Sequence, residues 1–326
     1  MLSTRISRAA VALCCTFLLA SCGMEGKVTV LKMGHSLDQK HPVHLGIVYM
    51  AKRLDELSGG TMRLDIYPSG QLGSERELME LLQIGSLAMT KVSSSPMEGF
   101  VPAMQIFSIP YVFRDSEHFW KVLKSDIGTD LLLAGEAVRL RGLGYYDAGA
   151  RSFYTVNRPV HQPSDLTGMK IRVQESQTSV SMVRALGGSA TPISWGELYT
   201  ALDQGVVDGA ENNPPSFYSS RHFEVAKYYT LDEHSYVPDI VLISSYVWDH
   251  LEPQQQKWLQ QAMDESVVHQ RKLWAEATEQ AYAAVEKAGV EIIYPDKSLF
   301  EDAVRDMQES YRGTPAYALL EKIRAM

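Results

Sequence analysis

Ser74-Glu75-Arg76-Glu77-Leu78-Met79-Glu80-Leu81-Leu82-Gln83-Ile84-Gly85 and Ser194-Trp195-Gly196-Glu197-Leu198-Tyr199-Thr200-Ala201-Leu202-Asp203-Gln204-Gly205 repeat one pattern, S-x-x-E-L-x-x-x-L-x-x-G, within a chain of 326 residues. Serine three residues before glutamate is a capping box, which satisfies the free amides at a helix start, and the glycine ends the helix in a left-handed turn. An apolar run follows each copy, Leu87-Ala88-Met89 and Val206-Val207, and reads as a strand. One copy is local helix grammar. Two copies about 120 residues apart imply two similarly built α/β lobes. In open α/β sheets ligands sit beyond the carboxyl ends of the strands, so two facing lobes make a cleft.

Upstream, Lys27 to Met33 reads as a strand, and Val43, Ile47, Met50, Ala51, Leu54 and Leu57 recur at helical spacing between Pro42 and Gly59-Gly60. Met62, Leu64 and Ile66 then alternate with Arg63, Asp65 and Tyr67, the period of a strand. The second lobe is expected to begin near Arg151, pass through Gly168-Met169-Lys170-Ile171-Arg172-Val173, and continue into a helix from Thr178 to Leu186. Tyr236 to Trp248, containing Ile240, Val241, Leu242 and Ile243, reads as a buried strand long enough to run back to the first lobe. No glycine and no further proline interrupts the chain from Pro253 to Ala288. A helix of that length spans roughly 50 Å, more than one small lobe, and is expected to brace both. The expected lobes are residues 22–150 with about 239–280, and 151–238 with about 281–326.

Arg5 and Arg8 precede an apolar run from Ala9 to Ala20, which reads as a signal peptide over residues 1–21. Leu19-Ala20-Ser21-Cys22 has the form of a lipobox, with Cys22 as the residue to be lipidated. Cys14 and Cys15 fall inside the signal, so the folded body has no disulfide, thiolate nucleophile or cysteine-ligated metal. The whole chain carries 31 basic and 39 acidic residues; removing residues 1–21 takes away two arginines and leaves 29 against 39. That balance disfavours a nucleic-acid partner. No later apolar run approaches the roughly 20 residues of a membrane span.

The common catalytic signatures, G-x-S-x-G, H-E-x-x-H, G-x-G-x-x-G and G-x-x-x-x-G-K-[ST], do not occur. Met169, Ile171 and Val173 alternate onto one strand face, which leaves Arg172 on the other, meeting either water or something it was placed to hold. A guanidinium is a planar fork that matches a carboxylate with two parallel hydrogen bonds. Arg151, in Gly149-Ala150-Arg151-Ser152-Phe153-Tyr154-Thr155, is either a second such contact or an ion pair. His35, His41 and His44 crowd ten residues, but Pro42 separates them, and the i, i+4 spacing of a helical metal pair is absent. His35 at the end of the first strand suits donation to a ligand oxygen, with a surface histidine as the alternative. Glu75 in a first helical turn is either a favourable dipole partner or an acceptor for ligand hydroxyls. Asn212 is either turn chemistry before Pro214-Pro215 or an amide that can donate to and accept from a hydroxyl. Phe217, Tyr218, Tyr236 and His234 form either a stacking wall or core.

These readings meet in a resemblance carried by His41-Pro42, Ser58-Gly59-Gly60, Tyr67-Pro68-Ser69-Gly70-Gln71-Leu72-Gly73, Ile109-Pro110-Tyr111-Val112-Phe113, Gly168 to Val173, Ala185-Leu186-Gly187, Tyr199 to Gly209 and Glu211-Asn212. In this order they resemble the DctP family, the periplasmic solute-binding proteins of tripartite ATP-independent periplasmic (TRAP) transporters. The resemblance implies the two-lobed periplasmic-binding-protein fold, without catalysis or cofactor, closing as a monomer on an organic acid and handing it to the TRAP membrane subunits. It puts the carboxylate clamp on Arg172, a second basic contact on Arg151, a polar first-lobe contact on Glu75 and an amide contact on Asn212. His35, Ser93, Gln174, His234 and Asp239 complete the candidate site. Ala150 to Tyr154 and Glu211 to Tyr218 look most like members that bind hexuronates such as glucuronate or galacturonate. A dicarboxylate would face Glu75 with a second anion unless Lys40 or Arg76 intervened. The other readings are a C4-dicarboxylate or different sugar acid, a periplasmic uronate enzyme using Glu75 and His35, and a sensor that docks on a receptor. The implied location is the periplasm, where the protein is either tethered to the membrane through Cys22 or, if that cysteine is incidental to an ordinary cleaved signal, free.

Overall fold

The computed structural model describes residues 28–326, so the signal-peptide and Cys22 readings lie outside the described residues. Eleven strands form two mixed sheets. The first holds β1 (Thr29–Gly34), β2 (Met62–Tyr67), β3 (Met89–Ser93), β4 (Leu140–Tyr146) and β10 (Asp239–Ser244), in the order β2-β1-β3-β10-β4. The second holds β5 (Ala150–Thr155), β6 (Lys170–Val173), β7 (Ser189–Pro192), β8 (Gly209–Asn212), β9 (Tyr228–Tyr236) and β11 (Glu291–Ile293), in the order β11-β9-β5-β8-β6-β7. Each sheet is the centre of one lobe of a two-lobed α/β fold, as the duplicated pattern implies.

Strand periodicity explains how the sheets are buried. Ile240 and Leu242 enter the core cluster that includes Phe107 and Phe119, whereas Val241 and Ile243 enter the one beneath helix Pro42–Ser58. One strand thus fills both faces of its sheet, which is why its sequence is a continuous apolar run. In β6, Ile171 and Val173 enter one second-lobe core, and Arg172 between them takes the opposite face.

The two copies of the repeat fold differently at their starts. Ser74 and Glu77 form the reciprocal capping box of helix Glu75–Gln83. In the second copy the Ser194 hydroxyl donates to the Glu197 carboxylate (2.7 Å), as Ser74 does to Glu77 (2.9 Å), but its oxygen takes no helical amide, and the first turn is a 3-10 turn, Trp195–Glu197, before helix Leu198–Asp203. The strands after the two copies begin two or three residues later than the apolar pairs suggest, at Met89 and Gly209.

The chain crosses between lobes at Asp147-Ala148-Gly149, from β4 into β5, and again at Val237-Pro238, from β9 into β10. The crossings lie side by side: Ala150 pairs with Tyr236, and Tyr146 with Asp239. The helix Pro253–Lys287 braces both lobes, burying Leu259, Ala262, Met263 and Trp274 in the first and Val285 in the second. Trp274 packs on Gly149, whose φ of +56° favours glycine and whose absent side chain would stand 3.1 Å from the indole nitrogen. The tail of the chain forms three helices, Lys297–Ala303, Arg305–Glu309 and Pro315–Arg324. Phe300, Val304 and Met307 pack in the second lobe, but Ala316, Leu320 and Ile323 of helix Pro315–Arg324 enter the first-lobe core. The end of the segment 281–326, expected in the second lobe, therefore belongs by its packing to the first.

The brace is tied to the first crossing by Gln270, which is fully buried, accepts from the Asp147 amide (2.8 Å) and donates to the Asp147 carbonyl (2.8 Å). Gln270→Ala leaves both backbone groups without partners, and we expect urea unfolding to report a loss of about 2–4 kcal/mol.

Candidate functional site

A cleft lies between the lobes, at the carboxyl ends of β3, β6 and β8. The first lobe contributes Ser36, Glu75, Lys91, Ser93 and Asp239, and the second contributes Arg151, Arg172, Gln174, Trp195, Asn212 and Ser216. Strand alternation and the ends of strands aim these polar groups at one space.

The two arginines differ in what surrounds them. Arg151 gives its Nε to the Glu211 carboxylate, Nη2 to Glu211 Oε1 (3.0 Å) and the Glu211 carbonyl (2.7 Å), and Nη1 to Asn212 Oδ1 (2.9 Å). Burial opposes its charge, but Glu211 outweighs burial and holds Arg151 above its ordinary pKa. Arg172 is as deeply buried, at 2% exposure, yet donates only from Nε to the Ile193 carbonyl (2.8 Å), and its Nη1 has no partner among the described residues. Burial pushes its pKa below the ordinary value, with no carboxylate in contact to offset it. Gln174, two residues on, likewise has a buried Oε1 without a partner. A guanidinium and an amide oxygen in this condition suit a ligand that brings a carboxylate and a hydroxyl donor.

The first-lobe wall has a different chemistry. Lys91, fully buried in β3, donates to Glu75 Oε1 and Asp239 Oδ1, both at 3.0 Å. Burial opposes its charge, but Asp239 and Glu75 outweigh burial and raise its pKa. The Ser93 hydroxyl donates to Asp239 (2.9 Å) and its amide approaches both Glu75 oxygens (3.3 Å). Two carboxylates against one ammonium leave this wall with a net negative charge and spare acceptor lone pairs, an arrangement for hydroxyl donors.

The structure thus brings Glu75, Ser93, Arg151, Arg172, Gln174, Asn212 and Asp239 to one cleft. His35 is not among the lining residues: it is fully buried, its Nε2 meets His44 Nδ1 (3.0 Å), and its Nδ1 accepts from the Leu37 amide (3.2 Å). Burial pushes its pKa down to about 3, so it is a neutral support of the loop after β1. His234 also stands behind the wall, bonded to Asp232 (2.8 Å) and 3.5 Å from Glu211. Its place is to back the Glu211 carboxylate that holds Arg151. Burial opposes Glu211 ionisation, but Arg151 and then His234 outweigh it and take its pKa down to about 2. Phe217 is core, and the aromatic side chain that does line the cleft is Trp195, which packs against cores of both lobes. Sequence reading also passed over Lys91. A lone lysine in the apolar run Met89-Thr90-Lys91-Val92 is the same signal that singles out Arg172. Neither Lys40 nor Arg76 intervenes at Glu75: Arg76 pairs with Glu80 (3.2 Å) at the surface.

Residues 33–314 match the family described as DctP, bacterial extracellular solute-binding protein, family 7. A TRAP periplasmic solute-binding protein from Bradyrhizobium, solved with α/β-D-galacturonate, is 41% identical with a TM-score of 0.87, over 91% of this chain and 99% of that one. One from Pseudomonas putida with bound D-glucuronate is 36% identical with a TM-score of 0.88, over 91% and 97%. The 2,3-diketo-L-gulonate-binding periplasmic protein of Escherichia coli is 31% identical over 282 residues, 85% of this chain and 86% of its own.

The support behind Arg151 carries its own pH dependence. Burial opposes the His234 charge, but Asp232 and Glu211 outweigh burial and raise its pKa from 6.5 to about 9. A raised folded-state value means that the stabilisation is complete below pH 6.5 and is lost as pH rises through 9. Unfolding free energy measured from pH 6 to 10 should fall over that window in the parent protein, and His234→Gln should flatten the slope.

Proposed function

Because the chain belongs to the DctP family of bacterial extracellular solute-binding proteins, we propose that it is a periplasmic receptor that closes on a hexuronate, galacturonate or glucuronate, and delivers it to TRAP membrane subunits. It is a receptor and not an enzyme. The observation that carries the ligand class is Arg172: a buried guanidinium whose Nη1 lacks a protein partner, on a strand face aimed into the cleft. The ligand carboxylate takes this fork, and Arg151, held rigid by Glu211, has one donor left to add. Gln174 and Asn212 receive hydroxyls near the acid end.

Discrimination comes from the opposite wall. A second carboxylate placed there would meet Glu75 and Asp239 with only Lys91 between them, and like charges in a partly buried site repel strongly. Hydroxyl groups meet no such repulsion and find acceptors. A hexuronate, with one carboxylate and a ring of hydroxyls, satisfies both walls, and the galacturonate and glucuronate complexes of the relatives support the same choice. Closure is hinged at the adjacent crossings 147–149 and 237–238, with Cys22 as the tether to the membrane.

Calorimetry of the parent protein should give saturable binding of galacturonate or glucuronate. Arg172→Ala should weaken it by roughly a hundredfold or more, because a carboxylate would then enter a buried site without its counter-charge. Far-UV circular dichroism should be unchanged. Parent-like affinity in Arg172→Ala would overturn the assignment.

A further inference from the structure

Outside the cleft, one carboxylate of the first lobe is spent entirely on the second. Glu98 closes the one-turn helix Ser94–Met97 that follows β3. Its Oε2 accepts from the Ser176 hydroxyl (2.6 Å), and its Oε1 accepts from the Thr178 hydroxyl (3.0 Å) and the Thr178 amide (3.3 Å). Ser176 is the N-cap of helix Gln177–Ala185 in the second lobe, and both Ser176 and Thr178 are buried. We propose that Glu98 is a positioning residue for ligand capture: it clasps the second-lobe helix start only when the lobes are closed, and so sets affinity without touching the ligand. This inference rests on the receptor function proposed above.

Three features support the clasp. Among the described residues no cation is within ion-pair distance of Glu98, so its charge is matched by the free amide and hydroxyls of a helix N-terminus, where the helix dipole favours an anion. Hydrogen bonds to a charged acceptor are about twice as strong as neutral ones. A second side-chain bridge between the lobes, His41 Nε2 to the Ser216 hydroxyl at 3.1 Å, is between neutral groups, since burial holds His41 well below its ordinary pKa.

The second feature is position in the chain. Ser176 lies four residues after Arg172 and two after Gln174, on the same turn from strand to helix. Glu98 lies five residues after Ser93 and seven after Lys91, across the matching turn of the first lobe. The clasp therefore joins the two turns that carry the acid-holding and hydroxyl-holding walls, and closing it fixes their separation. The third feature is that neither Glu98 nor Thr178 lines the cleft, so their removal leaves every cleft side chain in place.

The test is stopped-flow and equilibrium binding of galacturonate and glucuronate to the parent, Glu98→Ala, Glu98→Gln and the Ser176→Ala/Thr178→Val pair. Glu98→Ala should raise Kd about tenfold or more for both acids by the same factor, through faster dissociation, with the ligand-free melting temperature unchanged. Glu98→Gln, which keeps an acceptor, should lose less. Adding Glu98→Ala to the Ser176→Ala/Thr178→Val pair should cost nothing further. A Kd within twofold of the parent in Glu98→Ala would overturn the proposal. A ligand-independent arm uses single-molecule distances between dyes on exposed Ile84→Cys and Val206→Cys, one per lobe, with the natural cysteines changed to serine. There the closed fraction of ligand-free protein should fall in Glu98→Ala, and an unchanged fraction would overturn the clasp. If the parent binds neither hexuronate, the ligand assignment fails and the distance arm still decides the clasp.

Discussion

A guanidinium removed from water loses hydration worth several kcal/mol, and the interior must return that stabilisation through a paired anion and hydrogen bonds. Arg151 and Arg172 are both buried in the same sheet, and only Arg151 receives that return from the protein, through Glu211 and Asn212. Arg172 receives a single carbonyl. The difference divides labour between two otherwise similar residues. Arg151 is tied into the wall, whereas Arg172 Nη1 has no partner among the described residues, the condition on which the proposed carboxylate contact rests. A receptor needs that asymmetry, because a site whose donors are already satisfied has nothing to gain from its ligand.

The rest of the fold serves to keep Arg172 in this condition. Ile171 and Val173 bury one face of β6 and so force Arg172 to the other. Glu211 pairs with Arg151 and lies 3.5 Å from His234, which is bonded in turn to Asp232. On the facing lobe, Lys91 is the single cation shared by Glu75 and Asp239, the arrangement on which the proposed preference for hydroxyls rests. The crossings at 147–149 and 237–238 lie side by side between these walls, and the helix Pro253–Lys287 packs on both lobes.

Much of this was legible in the order of residues. The repeated S-x-x-E-L-x-x-x-L-x-x-G pattern disclosed the two lobes, because capping and helix termination are local and survive any tertiary context. Arg172 was legible for the same reason: period two separates it from its apolar neighbours whatever the sheet packs against. What escaped were facts created by distant contacts. His35 looked free at the end of a strand, but His44 and the Leu37 amide occupy both its ring nitrogens. The serine of the second repeat takes no helical amide, and its helix opens with a 3-10 turn. Helix Pro315–Arg324 follows Gly313 and returns to the first lobe, a choice of partner that its amphipathic pattern does not encode. Lys91 was overlooked although it obeys the rule that exposed Arg172.

The central claim is that one wall of the cleft holds a single carboxylate and the other accepts hydroxyls. Competition calorimetry tests it directly with the cyclic acid galacturonate, the neutral sugar galactose, and an open-chain pair that differs at one end, the monoacid galactonate and the diacid galactarate. Galacturonate should bind, galactose should fail for want of an anion at Arg172, and galactarate should bind more weakly than galactonate because its second carboxylate meets Glu75 and Asp239. Galactarate binding as tightly as galactonate would contradict it.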